Sequence, residues 1–284
     1  MEAVQSNLFQ TLLGLLHYGK SIIKKNLMNF ICSYWGDKYP VEYVNRLYNM
    51  VERNYHAPFV FYCQTYKHHG LNPKIELIPF LEELPESTPD AMKESEHYKN
   101  NKPVLWDRPK LNYWCPDGWG IKGMKVALDL DVIIQNDLGP LIDLYKDKPI
   151  TLRSWWHNRK EEKEPAWRKR YGAFNNGSLY MWEDNDATKA IWDDLVENTP
   201  KLYHLFHGGS DNFISTRHLD KFDFVPSSMV YSFNRGCEWP DDLEPYLHRP
   251  EKILCTFNCD ERYDTHYQLH EAYENHPWIN DYWK

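Results

Sequence analysis

The sequence predicts an α/β fold with a largely parallel sheet, in a single domain. The first observation is an apolar run, LMNFICSYW, which ends near Trp35 and is typical of a buried strand. The second is the segment after it, where Val44, Leu47, Tyr48 and Val51 repeat at helical spacing. The third is another apolar run, PFVFYCQT, beyond that helix. Strand, helix and strand in this order are typical of parallel βα units.

The remaining elements follow from similar local signals. Asp37 can cap the first helix, and Pro40 suits its opening turn. Apolar periodicity predicts strands at IELIPF, GMKVALDLDVII, NNGSLYMW, SSMVYSF and KILCTFN, and a second helix at DATKAIWDDLVEN. Capping of that second helix explains the Asp184 and Asp186 pair that precedes it.

The chain divides into one core domain, a surface excursion within it and an extension at each end. Residues 26–260 form the predicted domain, and residues 1–25 a helical extension before it. Residues 82–103 are polar and interrupted by proline, which predicts a long surface excursion. Residues 261–284 form a polar C-terminal tail, whose Trp278 and Trp283 we expect to dock its end onto the domain.

Composition excludes some classes of protein. The 284 residues carry 33 Lys and Arg against 41 Asp and Glu, a net charge of −8, which argues against a nucleic-acid partner. The aromatic residues (12 Trp, 20 Tyr and 12 Phe) suit binding clefts as well as a core. The six cysteines lack CxxC spacing; their even count permits disulfides, but in a chain of this size we expect buried free thiols.

The N-terminal apolar stretch, Leu8 to Leu16, is too short to span a bilayer. It also lacks the basic front end and the cleavage site of a signal peptide. We therefore expect a cytoplasmic protein without an integral membrane span. The stretch predicts a short helix packed on the domain, with a membrane-surface helix as the alternative.

The strongest local signal for a site is ALDLDVII. In this predicted strand Asp129 and Asp131 point to one face, roughly 6–7 Å apart, while the apolar side chains point to the other. Two carboxylates on a buried strand are costly unless a cation satisfies them. A divalent ion with oxygen ligands does so and can hold a diphosphate. The pattern is short, and chance alone gives about one or two Asp-x-Asp triplets here.

The order of these segments resembles the glycogenin-like and lipopolysaccharide-galactosyltransferase-like glycosyltransferases. These have the GT-A fold, a Rossmann-like sheet flanked by helices. The resemblance runs from about Asn26 to Asn258 and rests on the order and spacing of short motifs: WGDKYP, PFVFYC, the KL pair of RPKLNYW, ALDLDVI, FNNGSLYMW, GGSDNFIS, FVPSSMVYSF and ILCTFN.

The resemblance implies roles by position. The loop after the first strand would hold the nucleotide base and ribose, through Ser33, Tyr34, Trp35, Asp37 and Tyr39. Lys110 would face the phosphates of the nucleotide sugar, and Asp129 and Asp131 match the metal-binding Asp-x-Asp. Asn175, Asn176 and Gly177 would line the sugar site. Asp211, beside Asn212, falls near an acidic pair that contacts the donor sugar, with a helix cap as its alternative role.

One metal ligand departs from the family pattern. The family closes its metal site with a phenylalanine-histidine-glycine motif, whereas this chain reads Phe257, Asn258, Cys259. An asparagine oxygen can still bind Mn²⁺ or Mg²⁺, more weakly and without charge. Asn258 is therefore the predicted third ligand.

The resemblance implies a metal-dependent transfer of a hexose, with a UDP-sugar as the expected donor and a glycan or other hydroxyl as the acceptor, with retention of configuration. The loop RSWWHNRKEEKEPAWRKRYG would face the acceptor or, equally, be a solvated loop. A catalytically weak nucleotide-sugar or carbohydrate-binding protein is the alternative. A haloacid-dehalogenase-like phosphatase is a remote one, since its aspartate motif lies on the opening strand.

Overall fold

The computed structural model describes residues 27–81, 108–154, 174–202, 209–236, 244–258 and 265–284. Within them, seven strands form a mixed sheet and three form a smaller one. The strands are β1 Met28–Ser33, β2 Phe59–Gln64, β3 Ile75–Ile78, β4 Lys125–Leu128, β5 Val132–Ile134, β6 Ile150–Arg153, β7 Asn175–Trp182, β8 Asp223–Phe224, β9 Val230–Ser232 and β10 Leu254–Thr256. The helices are α1 Glu42–Asn54, α2 Gly139–Ile142, α3 Asp186–Leu202, α4 Gly209–Arg217, α5 Leu269–Asn275 and α6 Ile279–Tyr282.

The larger sheet has the strand order β3-β2-β1-β4-β7-β6-β8. Strands β3, β2, β1 and β4 are parallel, as the sequence predicts. Strand β7 is antiparallel to both β4 and β6, so this half of the sheet is mixed rather than parallel. In the smaller sheet, β10 pairs with β5 and β9.

Apolar side chains cover both faces of the larger sheet. On β1, Phe30 and Cys32 pack with α1 and the C-terminal helices, whereas Ile31 packs with the opposite cluster, around Trp114 and Trp182. This alternation follows from the two-residue period of a strand. A sheet buried on both faces explains the nearly continuous apolar runs of β1 and β4.

The first helix begins later than the sequence indicates. It starts at Glu42 after Val41, and no side chain caps it. Asp37 does not cap it; its carboxylate lies 2.9 Å from Nζ of Lys67, on the loop after β2. Because Pro40 accepts a hydrogen bond from the Tyr43 backbone N–H at 3.1 Å, the turn before the helix is closed by backbone groups.

The cap of α3 is Asn185, which lies between the predicted Asp184 and Asp186. Asn185 caps this helix, because its side-chain oxygen accepts from the N–H groups of Ala187 and Thr188 at 2.9 and 3.1 Å. Asp184 instead lies 3.0 Å from Nζ of the buried Lys125. Asp186 is the first residue of the helix itself.

The helices after residue 265 dock onto the domain. Leu269, Ala272, Ile279 and Trp283 are buried in the same cluster as α1 and β5, so the expected docking of Trp283 is confirmed. Trp278 is partly buried against that cluster and stacks on His248. The N-terminal extension, the 82–103 excursion and the Trp155 and Trp156 loop lie outside the described residues.

Candidate functional site

The candidate site lies where β1 and β4 end. These strands are parallel neighbours, so their carboxyl ends meet at one edge of the sheet. Ser33 is the last residue of β1, and Asp129 follows Leu128, the last residue of β4. The strand does not continue through the acidic pair as the sequence predicts. Residues 129–131 form a turn, because the chain there leaves the larger sheet and enters β5 of the smaller one.

The two carboxylates of this turn have different partners. Asp129 lies 2.6 Å from Nζ of Lys110, and Asp131 accepts a hydrogen bond of 3.0 Å from the hydroxyl of Tyr39. Burial and the charge of Asp129 raise the pKa of Asp131, while Lys38 and Lys110 act in the opposite direction. The pair is therefore close enough for repulsion between its two charges, which is the condition that a divalent cation relieves.

Burial and the charge of Asp131 also raise the pKa of Tyr39. Tyr39 is thus a neutral phenol at physiological pH and donates its proton to the carboxylate. The donated hydrogen bond fixes one oxygen of Asp131.

A buried network joins the strand ends to the short 3-10 helix, Arg108–Trp114, that carries Lys110. The hydroxyl of Ser33 donates to Oε1 of Gln64 at 2.7 Å and shares a 2.7 Å hydrogen bond with the hydroxyl of Tyr113. Because Tyr113 and Lys110 are on the same short helix, this network positions Lys110 beside Asp129. The roles of Gln64 and Tyr113 are absent from the sequence-based prediction, since no local pattern marks them.

The loop after β1 is held by the loop after β2. The backbone N–H of Gly36 donates to the hydroxyl of Tyr66 at 3.1 Å. Lys67 pairs with Asp37, and its ammonium lies 5.0 Å from the ring centre of Tyr34. Tyr34 itself is buried, whereas Trp35 and Tyr39 are half-buried and Asp37 is exposed.

Strand β7 begins next to the acidic turn. The backbone N–H of Asp129 donates to the carbonyl oxygen of Ser178 at 3.1 Å. On its other side β7 bulges, because Thr151 pairs with Tyr180 but the next residue of β6, Leu152, pairs with Asn176. Gly177 lies within this bulge.

Asp211, on the first turn of α4, packs against Gly177. A β-carbon at position 177 would lie 2.7 Å from its Oδ1. The same oxygen accepts hydrogen bonds of 3.2 Å from Tyr180 and from the side-chain amide of Asn175. Asp211 thus belongs to a buried polar cluster, not only to the end of a helix.

The two asparagines of β7 differ in their surroundings. Asn175 is fully buried, and the hydroxyl of Ser215 donates to its Oδ1. Its amide holds Asp211, so all of these contacts are internal to the protein. Asn176 is also buried, and its Oδ1 accepts from the backbone N–H of Ser178 at 2.9 Å.

Asn258 follows β10 and approaches the acidic turn. In the antiparallel β5–β10 pair, Thr256 is opposite Val132, so the chain beyond Thr256 runs toward Asp131. The side-chain oxygen of Asn258 accepts a hydrogen bond from the hydroxyl of Thr256. Carboxylate and amide oxygens are hard ligands that fit Mn²⁺ or Mg²⁺. Among the described residues, no group of three or more His, Cys, Asp and Glu side chains forms a metal cluster.

Two expectations about compartment can be compared with the structure. Cys32, Cys63, Cys115 and Cys255 are buried free thiols, as predicted. Across the described ranges, no helix combines the length and apolar character needed to cross a bilayer.

Comparisons with known proteins identify the fold. No family model and no curated protein sequence matches the chain. Among solved structures, galactosyltransferase LgtC in complex with donor and acceptor sugar analogues aligns with a TM-score of 0.52 and 11% identity, over 87% of this chain and 94% of that one. An active-site mutant of LgtC aligns with a TM-score of 0.54 and 13% identity, over 90% of this chain and 97% of that one. Mouse xyloside xylosyltransferase 1, in its apo form, aligns with a TM-score of 0.47 and 12% identity, over 82% of this chain and 97% of that one.

The alignments with LgtC extend over nearly the whole of both chains. Among the described residues the acidic turn follows the fourth strand, whereas the phosphatase alternative has its aspartate motif on the opening strand. The mixed seven-stranded sheet flanked by helices is therefore the GT-A fold, as the sequence predicts.

Proposed function

We propose that this protein is a glycosyltransferase that moves a hexose from a nucleotide-diphosphate sugar, with a UDP-sugar as the expected donor, to a hydroxyl acceptor such as a glycan. The observation that carries the proposal is the convergence of three groups at one edge of a GT-A sheet. These are the acidic turn (residues 129–131) with Lys110, the loop after β1, and the place where Asp211 packs against Gly177. In α/β sheets, ligands bind at the carboxyl ends of the strands.

The leaving diphosphate is the chemical centre of such a reaction, because negative charge grows on its bridging oxygen. Asp129, Asp131 and Asn258 are the proposed ligands of a Mn²⁺ or Mg²⁺ ion, which would neutralise that charge as a Lewis acid. Lys110 supplies a second cation at the same place, since its ammonium already lies beside Asp129. Fixed positive groups aimed at a developing charge stabilise a transition state.

On the sugar side, we assign contacts with the donor to Asp211, Asn176 and Gly177. Tyr180 and Asn175 hold Oδ1 of Asp211, so this carboxylate remains an acceptor for sugar hydroxyls. Since Asn175 is fully buried, its role in the proposal is to position Asp211. Retention of configuration is part of the proposal, and we assign no protein nucleophile.

The nucleotide would be held by the loop after β1. Trp35 and Tyr39 offer half-buried aromatic surface, and Asp37 offers an exposed carboxylate for ribose hydroxyls. Ser33 and Tyr34 are buried, so their role is to pack beneath the exposed part of the loop rather than to contact the nucleotide. Lys67 and Tyr66 hold this loop against the loop after β2, and a loop held in place costs less to order when a ligand binds.

A second candidate function is a nucleotide-sugar-binding protein with weak or no turnover. The observation that favours it is at Asn258, whose side-chain oxygen is uncharged and already accepts from Thr256. Such a ligand binds a hard cation more weakly than a charged one.

Nucleotide release separates the two. The protein is incubated with Mn²⁺ and a panel of nucleotide sugars, with and without sugar acceptors, and free nucleotide is measured. The glycosyltransferase proposal expects release from at least one donor, stimulated by acceptor and abolished by EDTA, with retained configuration in the product by NMR. Binding of a donor without release from any would contradict it and support the binding protein.

A further inference from the structure

The two C-terminal helices pack against the segment that carries Asp131. Ile279, of α6, is buried in the same cluster as β5, the strand that follows Asp131, and α6 contacts β5 directly. Trp283, just after α6, is also buried there. The C-terminal end of the chain therefore forms part of the support behind the acidic turn.

A continuous row of aromatic rings leads from Trp283 to Asp131. The ring of Trp283 meets that of Tyr43 edge to face, with centres 4.8 Å apart. Tyr43 packs on Tyr39, with centres 4.7 Å apart, and Tyr39 donates its hydroxyl proton to Asp131. Each ring is in van der Waals contact with the next, so displacement of one shifts its neighbour.

Trp283 is itself firmly held, which makes it suitable as a support. The guanidinium of Arg46 lies 4.1 Å from its ring centre. The ring of Tyr273 packs on it at 5.2 Å. Arg53 donates to the backbone carbonyl of Lys284 at 2.8 Å and to that of Tyr282. Arg53, on helix α1, thus binds the backbone carbonyls of the residues on both sides of Trp283.

Tyr39 belongs to this row through its packing on Tyr43. It lies on the loop between β1 and α1, and the helix after the loop has no side-chain cap. We propose that Trp283 is a positioning residue for the metal site, acting through Tyr43 and Tyr39 on the orientation of the Asp131 carboxylate. This inference rests on the metal role assigned to Asp131 in the proposed function.

The size of the effect follows from what outer-shell partners do in metal sites. Loss of a group that orients a ligand lowers metal affinity by about 10-fold to 100-fold. Because Trp283 acts through two intervening rings, we expect the lower end, about tenfold. Trp283→Phe retains an aromatic ring against Tyr43, so we expect it to weaken Mn²⁺ binding less than Trp283→Ala does.

The test is a direct titration of the full chain with Mn²⁺, without nucleotide, in which free Mn²⁺ is followed by electron paramagnetic resonance. Trp283→Ala should weaken the Mn²⁺ Kd about tenfold. The matched control is Trp278→Ala. This tryptophan belongs to the same tail but stacks on His248, with ring centres 4.1 Å apart, and is not in the row from Trp283 to Asp131, so the control should weaken Mn²⁺ binding much less than Trp283→Ala does.

A double-mutant cycle tests the route through Tyr39. In a Tyr39→Phe background, which lacks the hydrogen bond to Asp131, Trp283→Ala should have little further effect on Kd. If Trp283→Ala does not fold, Trp283→Leu, which fills more of the space, takes its place in the cycle.

Three results would overturn the inference. One is a folded Trp283 variant with wild-type affinity for Mn²⁺, and another is equal weakening by the Trp278 control. The third is full additivity with Tyr39→Phe. A wild-type protein that binds no Mn²⁺ would remove the metal role from the proposed function itself, so the two failures are distinguishable.

Discussion

Gly177 packs so closely against Asp211 that a β-carbon on it would lie 2.7 Å from Oδ1 of the carboxylate. The contact joins a bulge in β7 to the first turn of α4, two elements that are distant in sequence. It explains why glycine occupies this position, since any larger residue needs the space of Asp211 or of the Tyr180 ring, 3.0 Å away.

Gly177→Ala should therefore displace Asp211 and lower turnover with the donor identified in the release assay. Misplacement of a catalytic group by about 1 Å costs on the order of 100-fold. Measurement of kcat and KM for nucleotide release checks this. Gly139→Ala is the matched control, because a β-carbon on this remote helix would lie 3.3 Å from its nearest neighbour, Asp137. Equal kinetics for both variants would contradict the placement of Asp211 at the sugar.

Asp131→Asn should have opposite effects on metal binding and on stability. Loss of a charged ligand should weaken metal-dependent nucleotide binding by more than the roughly tenfold loss expected for an outer-shell partner. In the metal-free protein the variant should be more stable than wild type at neutral pH. The reason is that burial and Asp129 raise the pKa of Asp131, so its ionised form is unfavourable in the fold.

Calorimetric nucleotide binding with and without Mn²⁺, together with thermal unfolding in EDTA, measures both effects. Asp186→Asn is the control, since this aspartate belongs to the other Asp-x-Asp triplet and is exposed on α3. Unchanged affinity in Asp131→Asn would exclude a metal site at the acidic turn.

His218 should make the protein less stable as pH falls. Burial lowers the pKa of His218 to about 4, although the nearby Asp194 carboxylate, 2.8 Å from its Nε2, acts in the opposite direction. A depressed histidine pKa means that protons bind the unfolded chain more tightly. The resulting stability is complete above about pH 6.5 and is lost down to about pH 4, by up to about 3 kcal/mol.

Urea unfolding between pH 7 and 4 measures this loss, and His218→Gln should show a flatter dependence. Asp194 contributes in a separate range, because its hydrogen bonds with Arg217 outweigh burial and lower its pKa. Its share of stability is lost only below about pH 3.8. An identical slope in wild type and His218→Gln would contradict the prediction.

Asn185→Ala should destabilise the protein by about 1 kcal/mol, the usual cost of an N-cap. The side chain of Asn185 satisfies two of the first N–H groups of α3, at Ala187 and Thr188. Asp186→Ala should cost less, because Asp186 is exposed in the first turn of α3, where its charge interacts with the helix dipole. Chemical denaturation of both variants checks the order, and a larger loss in Asp186→Ala would reverse the assignment of the cap.

Local patterns in the sequence determine much of this fold. Strands β1 to β3 and helix α1 were predictable because their apolar residues repeat at the periods of a strand or a helix, which is a property of neighbouring residues. The acidic pair was predictable for the same reason, since Asp129 and Asp131 interrupt an apolar run. The caps were misassigned because Asp37, Asp184 and Asn185 are all suitable by residue type, yet Asn185 caps α3 and no side chain caps α1.

Tertiary structure alone decided which distant groups meet. Ser33 and Tyr113 are 80 residues apart, and Tyr39 and Asp131 are 92 apart. Such contacts depend on strand order, on the antiparallel entry of β7 and on the turn that takes the chain from β4 into the smaller sheet. No local period encodes them. The sequence by itself thus determined the elements and the carboxylates, and packing of the two sheets and the C-terminal helices decided how those carboxylates are held.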